Sequence, residues 1–136
     1  MSLLENIEKI FNDNEINYFK GNKGNQNIIN VPYRGIINPN SRVDIYLDVD
    51  EFLKLVKFTV VEKYNRRKDI SEIKSQLLDI NANLQSGFLS MRSDSDTIEY
   101  RTDYTVVEEG FSFKQYNMII VNCVKIYEML KERELI

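Results

Sequence analysis

Residues Arg42 to Val49 read RVDIYLDV, an unbroken alternation of side chains. Val43, Ile45, Leu47 and Val49 face one way, and Arg42, Asp44, Tyr46 and Asp48 face the other. Successive side chains point to opposite faces of a strand, so this run is a strand with one face buried and one in water. Such a strand belongs in an antiparallel sheet covered on a single side. The rest of the chain must then supply neighbouring strands and a helical layer for that side.

Three segments supply helices. Ser2 with Glu5 is a capping-box pattern, in which each side chain satisfies a backbone N–H at the helix start. Leu3, Leu4, Ile7, Ile10 and Phe11 follow at helical spacing, and Asn12 to Asn14 end the run. Asp69 with Glu72 opens a second helix whose apolar face is Ile70, Ile73, Leu77 and Ile80. Ser112 with Gln115 opens a third that runs to about Arg133. In this last helix Phe113, Tyr116, Ile120, Cys123, Tyr127 and Leu130 form one stripe, and Met118, Ile119, Val121, Val124, Ile126 and Met129 a second flank. A helix apolar over so much of its circumference is buried on more than one side. One side covers the sheet, and the other calls for a second copy of the chain or a different partner.

The remaining strands are shorter or less regular. Ile16 to Phe19 reads as a short strand stopped by GNKGN, and NIINVPY as a longer one whose Pro32 favours a strand end or an edge. EFLKLVKFTVVEKY fits a helix capped by Asp50, with Phe52, Leu55, Val56 and Thr59 on one face. Its β-branched and aromatic content, after a tight turn at Asp50-Glu51, reads as a strand. LQSGFLSMRS and TIEYRTDYTVV complete the set, with Ser93 to Asp96 between them as a hairpin tip. The expected architecture is an α+β domain over residues 1–136. It is an antiparallel sheet of about five to six strands with an N-terminal helix, a middle helix and a long C-terminal helix, in the order α-β-β-β(-β)-α-β-β-α.

Composition narrows the function. The chain has no histidine, so it lacks the usual general acid/base and the commonest metal ligand near neutral pH. A serine or cysteine triad relying on histidine is impossible. The one cysteine, Cys123, lies mid-helix among apolar residues, where a packed thiol is expected rather than a nucleophile. Asp94-Ser95-Asp96 looks like a cation loop. An EF-hand starting at Asp94 would need glycine and glutamate where Glu99 and Thr105 stand, so no metal is expected. Asp44 with Asp48, and Glu99 with Asp103, share strand faces but stand roughly 13 Å apart along the strand. They read as solvated charges rather than catalytic pairs. No catalytic residue and no cofactor site is expected.

A net charge of −3 gives no footprint for nucleic acid. EKYNRRK, the basic cluster at Glu62 to Lys68, reads as a polar connection into the second helix. No apolar run approaches the roughly 20 residues of a spanning helix, and the N-terminus carries glutamates in place of a basic leader. No membrane partner and a cytoplasmic location are expected, and a lone cysteine suits a reducing compartment.

The order of elements resembles that of the YbjN-like bacterial proteins, whose fold is shared with type III secretion chaperones. The resemblance is closest over DISEIKSQLLDINANLQSGFLSMRSDSDTIEYRTDYTVVEEGFSFKQYNMIIVNCVKIYEML, from Asp69 onward. There a helix ends in a Leu/Asn-rich turn, Gly-Phe enters a hairpin with an acidic tip, and a capped helix closes the chain. The resemblance implies a role in binding other proteins, regulatory or chaperone-like in character, and transfers no active-site residue. Secretion chaperones are small acidic homodimers, and this chain is small with a pI near 5.1. The expectation is a non-enzymatic protein-interaction module, a homodimer, whose dimer or partner surface is Tyr116, Ile120, Cys123, Val124 and Tyr127. The alternatives are a small-ligand or nucleotide-binding regulator, with a pocket lined by Tyr46, Tyr100, Tyr104 or Tyr116, and an enzyme using carboxylates and tyrosines alone.

Overall fold

Six antiparallel strands lie side by side with three helices gathered on one face, in a computed structural model that describes residues 1–21, 27–92, 94–107 and 110–136. The elements are α1 (Leu3–Asp13), β1 (Phe19–Lys20), β2 (Ile28–Arg34), β3 (Arg42–Asp50), β4 (Leu55–Lys63), α2 (Ile70–Asn83), β5 (Phe88–Arg92), β6 (Thr97–Thr105) and α3 (Phe113–Glu132). The sheet runs β1-β2-β3-β4-β6-β5, so β6 lies between β4 and β5 and α2 spans the crossover. The α+β class, the six strands and the element order are those expected from the sequence.

The alternation of β3 appears as Val43, Ile45, Leu47 and Val49 all buried. Its neighbours bury the matching face, with Ile29 and Val31 from β2, Val56, Phe58 and Val60 from β4, and Ile98 and Tyr100 from β6. The ambiguous segment is a strand from Leu55 to Lys63, while Phe52, Leu53 and Lys54, read as part of it, belong to the turn. Asp50 Oδ1 accepts the Leu53 N–H at 2.9 Å and closes a turn before β4 begins. Pro32 sits where β1 no longer reaches, since β1 pairs only with Ile29 and Asn30, and β2 there is an edge that tolerates proline.

All three helix starts are capped. Ser2 and Ser112 form complete capping boxes with Glu5 and Gln115. Asp69 caps α2 through the Ser71 N–H, without the expected box at Glu72. Ile70, placed on the core face of α2 by spacing, is 45% exposed. It falls in the first turn, ahead of the stripe made by Ile73, Leu77 and Ile80. The strand expected over Ile16–Phe19 is reduced to Phe19–Lys20, and most of the GNKGN stretch that follows falls outside the described residues.

Two polar contacts tie distant segments and carry no local pattern. Glu128, buried on α3, accepts the Ile37 N–H with both carboxylate oxygens at 3.0 Å and secures the β2–β3 connection. Gly35 lies against that carboxylate and against Asn38 O, so a β-carbon there has no room. Asn81, near the end of α2, donates to Leu89 O at 2.9 Å and accepts from Leu89 N–H at 2.7 Å. Its amide therefore pairs with β5 as a neighbouring strand would and blunts the edge of the sheet. Asn81→Leu leaves both backbone groups of Leu89 without a partner. The expected loss is about 1–3 kcal/mol in urea denaturation, with an unchanged denaturant slope.

Candidate interaction surface

Tyr116, Ile120, Cys123, Val124 and Tyr127 are all at most 5% exposed within the single chain. The structure does bring these five together, but beneath the sheet, so they are not a free surface. The Tyr116 ring packs against Phe11 of α1, Phe58 of β4 and Phe111. Its hydroxyl meets that of Tyr33 on β2. The second flank of α3 is also largely absorbed: Val124 and Ile126 are buried, and Ile119 and Met129 pack partly against the core. Met118, 65% exposed, remains uncovered beside half-buried Val121, and Phe113, placed in the stripe by spacing, is exposed at the first turn of α3.

The pocket expected between sheet and helix is filled by the tyrosines themselves. Tyr100 is buried, accepting from Asn122 and donating to Ser86 O at 2.8 Å each, while Tyr46 stands on the opposite, open face of the sheet. Tyr104 leans on Phe111 at a centroid distance of 5.1 Å. Asp94, Ser95 and Asp96 form the turn between β5 and β6. Asp96 accepts from Tyr64 and pairs with Arg66 at 3.0 Å. The rest of the cluster ties the β4–α2 connection to the β5–β6 turn and to the end of α3: Lys63 donates to Ser95 O, Lys68 to Arg133 O and Asn65 to Glu134 O. Cationic charge near the last carbonyls of α3 is favourable for the helix.

The uncovered sheet face is a wet one. Arg42 pairs with Asp44, Arg92 with Glu99 and Arg101 with Asp103, all on that face at 3.0–3.2 Å. Charges neutralised in this way are what an antiparallel sheet presents to solvent.

Exposed apolar residues occur at several places, among them Ile37, Leu78, Met118 and Phe19, and one group lies at the end of the molecule where α1 begins, β3 turns into β4 and β6 ends. Phe52 is 93% exposed, Met1 84%, Leu53 57% and Val107 56%. Beside them opens a cleft of about 480 Å³. Met1, Leu3, Val106 and Val107 form its apolar wall, and Asn6 and Lys54 its polar margin. The turn that displays Phe52 and Leu53 is held at both ends. Asp50 takes the Leu53 N–H, and Lys54, in the left-handed region at φ 52°, accepts the Val106 N–H at 2.8 Å.

The polar groups around this cleft already have partners. Glu51 accepts the first N–H groups of α1, from Leu3 at 3.0 Å and Leu4 at 2.8 Å, and lies within 3.5 Å of Lys54. Burial pushes the Glu51 carboxyl upward, but the Leu4 and Leu3 N–H groups and Lys54 together hold it below the usual range. The positive end of the helix is thereby satisfied by the chain's own carboxylate. Asn6 bonds Phe111 twice, to its carbonyl at 3.1 Å and from its N–H at 2.8 Å. What the cleft leaves unsatisfied is apolar surface.

No family model and no curated protein matches the chain. Among solved structures it is similar to YbjN from E. coli, proposed to be a transcription regulator. The TM-score is 0.67 at 16% identity, over 97% of this chain and 93% of that one. The chain therefore has a YbjN-like fold, as the resemblance implied. Among the described residues, no helix is long and apolar enough to cross a membrane.

Two outcomes follow from the buried face of α3. Ile120→Asp places a charge under the sheet, and circular dichroism is expected to report loss of the folded state rather than a folded monomer. The second concerns alkaline pH. Burial raises Cys123 and Tyr33 to about 12 each, and Tyr116 is pushed up by burial and by Tyr33 beside it. In the unfolded chain cysteine and tyrosine release protons near about pH 8.5 and 10. Between those values and about 12 the unfolded state binds fewer protons, so stability is full at neutral pH and falls as pH rises through that window. Urea midpoints measured from pH 7 upward check this, as does inertness of Cys123 to thiol reagents in the native protein at pH 8.

Proposed function

We propose that the chain is a non-enzymatic protein-interaction module, regulatory or chaperone-like, working in the cytoplasm as a homodimer and binding a protein or peptide segment through its apolar end. The observation that carries this reading is the pairing of a rigidly held, exposed Phe52-Leu53 tip with an apolar cleft at the same end. Exposed apolar surface rimmed by satisfied polar groups is characteristic of protein contact sites, and an apolar anchor seated in a pocket is what carries most binding energy at such sites.

A small-molecule role is the weaker reading, although 480 Å³ falls within the range of ligand pockets. A ligand site needs polar groups free to orient its occupant, and Glu51 and Asn6 are already bonded within the chain. An enzyme relying on carboxylates is weaker still, because Asp44, Glu99 and Asp103 are each engaged by an arginine. Those same pairs speak against nucleic acid on the open sheet face, since the arginines that would meet phosphate are occupied. The regulatory role proposed for YbjN is compatible with action through protein contacts.

A peptide-display selection tests the reading. Immobilised protein is expected to enrich peptides with a large apolar anchor. Their affinity should fall at least about tenfold on Val107→Asp and stay unchanged on Met118→Asp. Absence of enrichment, or the opposite ranking of the two variants, contradicts it.

A further inference from the structure

At the end of the sheet opposite the Phe52 turn, the β2–β3 hairpin sets two arginines side by side. We infer that Arg34 and Arg42 bind the carboxylates of an acidic segment of a partner protein. This goes beyond the interaction reading above, because both the surface and its chemistry are different.

Arg34 closes β2, Arg42 opens β3, and the two stand directly opposite in the register. The next pair outward is bonded, Gly35 N–H donating to Ser41 O at 2.9 Å. By the alternation of an antiparallel ladder the arginines then occupy a non-bonded pair, with Cα atoms about 4.5 Å apart. Like charges placed this way destabilise a sheet. Arg42 directs Nε and Nη2 to Asp44, at 3.3 and 3.2 Å. Among the described residues Arg34 has no ion pair, whereas Arg92 and Arg101 on the same face are matched by Glu99 and Asp103. The other carboxylate nearby, Glu128, lies buried on the inner side of the loop and is bonded to Ile37 N–H. Positive charge is therefore left over at Arg34.

A hollow of about 430 Å³ opens beside the pair, lined by Pro32, Arg34, Pro39, Asn40, Ser41 and Arg42. The exposed Ile36 and Ile37 stand in the same connection. The loop is preformed, with Ser41 N–H on Asn38 O at 3.0 Å and Asn40 N–H on Asn38 Oδ1 at 3.1 Å, so an occupant meets it without an ordering step. Those same bonds select the occupant. A free phosphate is held by backbone N–H groups, and those of Gly35, Ile37, Asn40 and Ser41 are all engaged. Tyr33 turns inward to meet Tyr116, so it offers no ring on which a base could stack. What remains is two guanidiniums beside proline and isoleucine surface, which suits carboxylates flanked by apolar side chains.

An array of hexapeptides combining Leu, Ile, Asp and Glu, with a matched set carrying Lys for each acid, tests the inference on the intact chain. The acidic set is expected to bind and the lysine set to stay blank. The best acidic peptide is expected to lose at least about tenfold in affinity on Arg34→Ala, measured by fluorescence anisotropy. That substitution removes a like-charge neighbour, so the urea midpoint is expected to hold or rise. Val107→Asp is expected to leave this binding unchanged. Equal binding of the two sets, an affinity or a midpoint that Arg34→Ala moves otherwise, or displacement by inorganic phosphate at the peptide's own concentration overturns the inference. Binding lost on Val107→Asp instead moves the segment to the apolar end, which overturns the arginine site and preserves the interaction reading.

Discussion

The Tyr116 side chain is the point on which helices and sheet converge. Its ring contacts α1 through Phe11, the centre of the sheet through Phe58 and the entry to α3 through Phe111, while its hydroxyl meets Tyr33 on β2. Aromatic contacts of this kind contribute about 0.5–1.5 kcal/mol each beyond area burial. A buried phenol also needs a polar partner, and the Tyr33 hydroxyl supplies one. The position of α3 across the sheet follows from this residue, and with it the burial of Ile120, Cys123, Val124 and Tyr127.

Once α3 is committed to the sheet, the surplus apolar surface lies elsewhere. The three helices fill one face, the other carries arginine–carboxylate pairs, and the most exposed apolar residue, Phe52, stands where β3 turns into β4 beside the start of α1. The chain invests specific bonds in holding that end rigid. Glu51 caps α1 from a distant turn, Asn6 clamps Phe111 with both ends of its amide, and Lys54 adopts a conformation uncommon for a residue with a side chain. Three fixed elements thus surround a tip whose Phe52 is almost wholly exposed. Residues placed so openly and held so firmly are suited to contact with another protein.

Much of this was legible in the residue order, because the governing signals are local. The alternation in RVDIYLDV, the serine caps and the 3.6-residue stripes give the strands, the helix starts and the buried faces directly. The α3 face was legible as apolar but not as covered. Periodicity states that a stripe is buried and is silent on whether the chain itself or a second molecule buries it. The cleft could not be read at all, since Leu3, Lys54 and Val107 are far apart in sequence and meet through the β3–β4 and β4–β6 register. Asn6, Asn81 and Glu128 were equally silent, for each acts on backbone groups remote in sequence. Phe52 was the available clue. As a strand residue it was unremarkable, yet as part of a turn opened by Asp50 it had to point into solvent.

Hydrogen–deuterium exchange, compared between dilute and concentrated protein, tests most directly that the apolar end rather than α3 or the sheet face is where the molecule makes contact. Added protection at high concentration is expected in the Asp50–Lys54 turn, in the first turn of α1 and at Val106 and Val107, with β3 and α3 unchanged. Protection that appears along α3 or across the open strands, and leaves the Phe52 turn exchanging as before, would contradict the account.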